Sequence, residues 1–78
     1  MTIAEHPDTI EALAAVCEAS RGGQHPAPVG DIHACSGLNG RQLREQLPRL
    51  RQLGLVARHP HARGLLPTSR GLQVARLL

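Results

Sequence analysis

Apolar positions recur at helical spacing over most of the chain and lose that period only near its C-terminal third. Ile10, Leu13, Ala14 and Cys17 stand at i, i+3, i+4 and i+7, which predicts a first helix over residues 7–20 with that stripe inward. Pro7 suits a first helical turn, and Asp8 and Glu11 complement the positive end of the helix dipole. Gly22 and Gly23 predict a left-handed stop. Residues 24–28 hold two prolines, which forbid helix and admit at most a short edge strand. A short second helix fits residues 30–36, with Asp31 in its first turn, Ile32 and Cys35 inward, and Ser36-Gly37 breaking it.

The third helix is the plainest. Asn39 is a good N-cap for a run over residues 40–53, closed by Gly54. On a 100° wheel Leu47 and Leu50 fall within about 40° of Leu43, a single apolar stripe. Arg41, Glu45, Pro48 and Gln52 lie opposite, flanked by Arg44 and Arg51 on one side and by Gln42 and Arg49 on the other. Beyond Gly54 the period changes. Residues 55–59 read as a strand, residues 60–64 as a turn, and residues 65–68 as a returning strand. Thr68 or Ser69 can cap a last helix over residues 70–78, with Leu72, Ala75 and Leu78 inward. The expectation is a single mainly α domain, residues 1–78, with a small β-hairpin: α+β.

Composition narrows the function classes. A 78-residue chain leaves little room for a catalytic cleft. There is no Phe, Tyr or Trp, so bases cannot stack on aromatic platforms. Twelve leucines and ten alanines favour helices. All nine cationic side chains are arginine, and six acids leave a formal charge of +3, compatible with a polyanionic partner. No run is long enough to span a membrane. Residues 1–6 are polar and unlike a secretory signal, and two cysteines make no disulfide framework, so the expected location is cytoplasmic.

Residues 29–71 resemble the winged helix-turn-helix domains of MarR-type and IclR-type bacterial regulators. The run GLNGRQLREQLPRLRQLGLV, Gly37 to Val56, carries the likeness: turn glycine and leucine, polar N-cap, third helix, then Leu50-x-x-x-Gly54-Leu55-Val56 into the hairpin. Thr68-x-x-Gly71 resembles the family's passage from wing to next helix. The chain departs from that pattern in several places. His33 stands where a small residue is usual, and Leu65 and Pro67 replace an aromatic and an apolar residue in the second wing strand. Pro67 confines that strand to an edge or to a short length. Pro48 lies inside the third helix, where an ordinary interior proline costs roughly 3 kcal/mol and bends the axis.

The resemblance implies sequence-specific binding of double-stranded DNA by a small transcriptional regulator, or by an accessory factor of plasmid or phage origin. The third helix would enter the major groove, with Arg41, Gln42 and Arg44 reading bases and Glu45 able to accept from cytosine N4. Arg49, Arg51 and Arg63 would hold phosphates, His59 and His61 would meet the backbone or minor groove, Asn39 caps the helix, and the amides at Gly40 and Arg41 would seat a further phosphate. A homodimer through Ile3 and the C-terminal segment is the expected partner, the alternative being that Leu77 and Leu78 close the core. The rival reading, a winged domain that binds protein without DNA, draws on Pro48 and Glu45. One contiguous positive surface over Arg41, Arg44, Arg49 and Arg63 favours DNA, whereas its interruption by the acids Glu45, Glu18 and Glu11 favours a protein partner.

Other chemistry finds little footing. His33-x-Cys35 with Cys17, or His59-x-His61, offers ligands suited to zinc, yet no C-x₂₋₄-C pair is present, so no metal or other cofactor is expected. Cys17 and Cys35 on apolar stripes read as small core residues. Ser36, Thr68 and Ser69 lie in caps and turns with no base placed nearby, and no phosphate loop occurs, so no enzymatic role is expected.

Overall fold

The computed structural model of the protein describes residues 6–77. The order is α1 Pro7–Ala19, α2 Val29–Cys35, α3 Gly40–Gln52, β1 Val56–Arg58, β2 Leu65–Pro67 and α4 Ser69–Leu77. The architecture is thus mainly helical with one small antiparallel hairpin, in the order the hydrophobic periodicity predicts. Element ends differ from the expected ones by about a residue or two, the ordinary fraying of helix and strand termini.

The longer helices start where the sequence supplies a starter, whereas α2 opens after Pro28 with no side-chain cap. Pro7 opens α1 with Asp8 in its first turn. Asn39 opens α3 through a complete capping box: its side chain accepts from the Gln42 amide at 2.8 Å, and the Gln42 side chain accepts from the Asn39 amide at 3.0 Å. The chain leaves α1 through Arg21, Gly22 and Gly23, all at positive φ, with the Gly22 amide returned to the Cys17 carbonyl.

The core lies where α1, α2, α3 and the hairpin meet, around fully buried Leu13, Val16, Ile32 and Leu50. On α3 the buried positions Leu43, Leu47 and Leu50 are those the spacing predicts. On α1 the buried residues are Thr9, Ala12, Leu13, Ala15 and Val16, a stripe that starts one residue earlier than expected, while Ala14 is exposed and Ile10 and Cys17 are half-buried. The expected stripe began at the first apolar residue, but the real one begins at Thr9, whose hydroxyl donates to Gln46 Oε1 at 2.7 Å. A buried polar pair that satisfies itself can sit in a core. Hydropathy alone does not reveal it.

Two further expectations on burial are corrected. Cys35 is exposed, because α2 is only seven residues long, buries Ile32 alone and ends in the turn that carries Cys35. Leu77 is 86% exposed and closes no core; Leu72 and Ala75 are half-buried. Ile3 and Leu78 lie outside the described residues. The buried residue of α4 is Gly71, where a Cβ would collide with the Leu55 carbonyl oxygen. The Thr68 hydroxyl donates to the Gly54 carbonyl at 2.6 Å and accepts from the Gly71 amide at 3.0 Å. The Thr68-x-x-Gly71 motif therefore caps α4 and lays it directly on the backbone before β1.

The hairpin registers Val56 with Pro67, Ala57 with Leu66 and Arg58 with Leu65. Leu65 also exchanges two backbone hydrogen bonds with Ala27, each 2.9 Å, so β2 is flanked on both sides at that position rather than lying at a free edge. Amides alternate in direction along a strand. Leu65 faces Ala27, Leu66 faces β1, and Pro67 again faces away from β1, where its missing N–H removes no bond to that strand. The strand is short, and the proline ends it.

Candidate nucleic-acid interface

A helix that buries Leu43, Gln46, Leu47 and Leu50 must turn its other side outward. Arg41, Arg44, Glu45, Pro48, Arg49, Arg51 and Gln52 are all exposed, and Gln42 is half-buried. At about 100° per residue, Arg41, Arg44, Pro48 and Arg51 fall in one stripe along α3, with Gln42 and Arg49 on the flank. Pro48 stands inside a helix that continues past it to Gln52.

The polar atoms on this face are unequally free. Arg41 lies 3.6 Å from Glu45 in an i, i+4 pair with both side chains largely exposed, an interaction of roughly 0.3–0.5 kcal/mol that a stronger anion displaces readily. Arg44 donates its Nε to the Gly40 carbonyl at 3.3 Å, which lays the guanidinium along the helix surface and leaves both terminal NH₂ groups to donate outward. No carboxylate lies within 4.0 Å of Arg44, Arg49, Arg51, Arg58 or Arg63 among the described residues. Glu11 is used elsewhere, accepting from the Gly37 amide at 3.0 Å and so tying the turn before α3 to α1. Of the acids expected to interrupt the arginine face, Glu45 does so at Arg41.

Gln42 is more constrained than its sequence position implies. Its side-chain carbonyl belongs to the capping box, so only its NH₂ is free to donate. Two-pronged pairing with adenine needs both groups and would require the box to open. Asn39 is likewise committed to the Gln42 amide. The first two amides of α3, at Gly40 and Arg41, have no acceptor among the described residues.

At the hairpin tip the histidines divide. His59 is half-buried and its Nδ1 accepts from the His61 amide at 3.0 Å and the Ala62 amide at 2.9 Å, so this ring holds the turn. His61 is exposed, its ring centroid 6.3 Å from that of His59. Arg63 is exposed beside them. Among the described residues no group of three or more His, Cys, Asp or Glu gathers in metal-binding geometry. Burial pushes the Cys17 thiol up, which disfavours its thiolate.

A feature the sequence did not reveal lies beside the C-terminal half of α3. A groove of about 640 Å³ opens between that helix, the start of α2 and the hairpin, and brings Arg51, Arg58 and Arg63 around Val29, Leu47 and Pro48. The convergence depends on the Ala27–Leu65 bridge, which joins the segment before α2 to the hairpin. Arg58 in particular carries no helical or motif signal. Comparison with family models, with curated proteins and with solved structures returns no match for the chain.

Proposed function

We propose that the chain is a winged helix-turn-helix protein that binds double-stranded DNA, with α3 in the major groove and the hairpin as the wing. The observation that carries this reading is the division of α3: its leucines are buried, while Arg44, Arg49 and Arg51 stand exposed with no carboxylate within 4.0 Å among the described residues. A helix of this length measures roughly 20 Å and fits a major groove. Arg44, with two outward NH₂ groups, suits guanine O6 and N7, and Arg41 joins it once released from Glu45. Arg49, Arg51 and Arg63 are assigned to phosphates, and Gly40 and Arg41 offer backbone amides to another.

One such module buries about 600–1,000 Å² on DNA, which limits affinity. The proposal therefore includes a two-fold dimer through the C-terminal segment, where Leu77 is exposed, and a role in regulating transcription. No helix among the described residues is long and apolar enough to cross a membrane. The test is a fluorescence titration of labelled duplex at low and at high salt with wild type and Arg44→Ala. Salt-sensitive binding is expected, weakened about tenfold or more by the substitution, equivalent to about 1.4 kcal/mol. Unchanged binding by Arg44→Ala removes that residue from the site, and no binding at low salt removes the function.

A further inference from the structure

We propose that the groove between α3, the start of α2 and the hairpin docks a short acidic peptide segment of a partner protein, one that carries an apolar anchor side chain. Its rim is cationic. Arg51 comes from α3, Arg58 from β1 and Arg63 from the hairpin connection, three separate segments that the fold brings to one cavity. No acid lines the groove, and none of these arginines has a carboxylate within 4.0 Å among the described residues. Such a lining selects anionic partners.

The apolar part of the lining decides between kinds of anion. Val29, 50% exposed, and exposed Pro48 supply apolar lining there, beside Leu47, which is 7% exposed. A phosphodiester backbone satisfies guanidiniums but has no side chain to bury against that lining. A peptide with carboxylates on either side of a leucine or phenylalanine meets both demands. Guanidiniums take carboxylates two-pronged, and an apolar anchor in a pocket ringed by polar contacts is the usual arrangement of an interface centre.

Pro48 gains a role by this reading. It is exposed, so the core draws nothing from it, and it lacks the amide that would bond the Arg44 carbonyl. In the groove it supplies a flat apolar surface without an amide to desolvate. The inference stands apart from the duplex reading, since Val29 and Arg58 take no part in that reading, while Pro48 shares the α3 stripe of Arg41, Arg44 and Arg51. Arg51 and Arg63 belong to both, so a duplex and a peptide would compete for them.

The test is an amide-resolved NMR titration of the full chain with a capped peptide holding a Leu-Phe pair between two glutamates on each side. The expected result is saturable shifts at Val29, Leu47 and Leu65, with affinity lowered about fivefold or more by Arg58→Gln and by Val29→Ser. Replacing Leu-Phe by Ser-Ser is expected to abolish the shifts at Val29 and Leu47. Thermal melts of both exposed-site variants check that they remain folded. Still groove amides, or equal binding of the serine peptide, would overturn the proposal. So would a short duplex that moves Val29 and Leu47 as strongly as the peptide does, which would give the groove to nucleic acid. Arg44→Ala with duplex and Arg58→Gln with peptide fail separately, so either reading can fall without the other.

Discussion

The two sides of α3 are held by different physics. On the inner side Leu43, Leu47 and Leu50 are fixed by burial, and Gln46 by a hydrogen bond to Thr9 across the α1–α3 junction. On the outer side Arg41 and Arg44 are held by their own helix and Arg49 by nothing described, with solvent as the alternative partner. The inner side therefore determines whether the helix exists and how it is rotated. The outer side is free to be chosen for what it binds. A side chain whose loss changes stability strongly is poorly placed to signal function, and the reverse holds for the exposed arginines.

The contrast breaks most visibly at Leu50, which is fully buried. Leu50→Ala is expected to cost about 2–5 kcal/mol, comparable to the whole stability of a domain this small. Loss of a cooperative thermal transition would agree; an unchanged melting temperature would contradict the helix register.

Smaller, and more diagnostic, is the polar link in the same interior. Thr9→Val leaves Gln46 Oε1 buried without its donor and is expected to cost about 1–3 kcal/mol. Thr9→Val combined with Gln46→Leu is expected to recover part of that loss, because no unpaired polar atom remains. Denaturant unfolding of the two single variants and the double variant measures the coupling. Strict additivity would mean that the pair does not act as a unit.

The smallest stability effect is expected outside. Arg44→Ala and Arg49→Ala should change unfolding free energy by no more than about 0.5 kcal/mol, with melting temperature as the readout. A larger loss would place these side chains in the structural half of the comparison and weaken their assignment to a ligand.

What was legible in the sequence follows the same division. The leucine period gave the inner side of α3, and Asn39 with Gln42 gave its start, because both signals are local. The rotation of α1 was not legible, since a threonine opens its buried stripe and the partner that makes this tolerable lies 37 residues away in Gln46. Cys35 is exposed although its spacing predicts burial, because spacing says nothing of where a two-turn helix ends. The candidate site divides likewise. The outward arginines of α3 follow from helix geometry, whereas His59 proves to brace the turn and Gln42 to brace the helix start. The groove was invisible because Arg51, Arg58 and Arg63 meet only through the pairing of Leu65 with Ala27, a contact between segments that share no pattern.

The central claim, that α3 presents its outer face to a duplex, is tested most directly by mapping amide shifts while double-stranded DNA is added to the isotopically labelled chain. The account predicts that Gly40, Arg41, Arg44 and the amides around Arg63 move together, and that the inner positions of α1 stay still. Shifts confined to α1 and α4, or none at low salt, would contradict it.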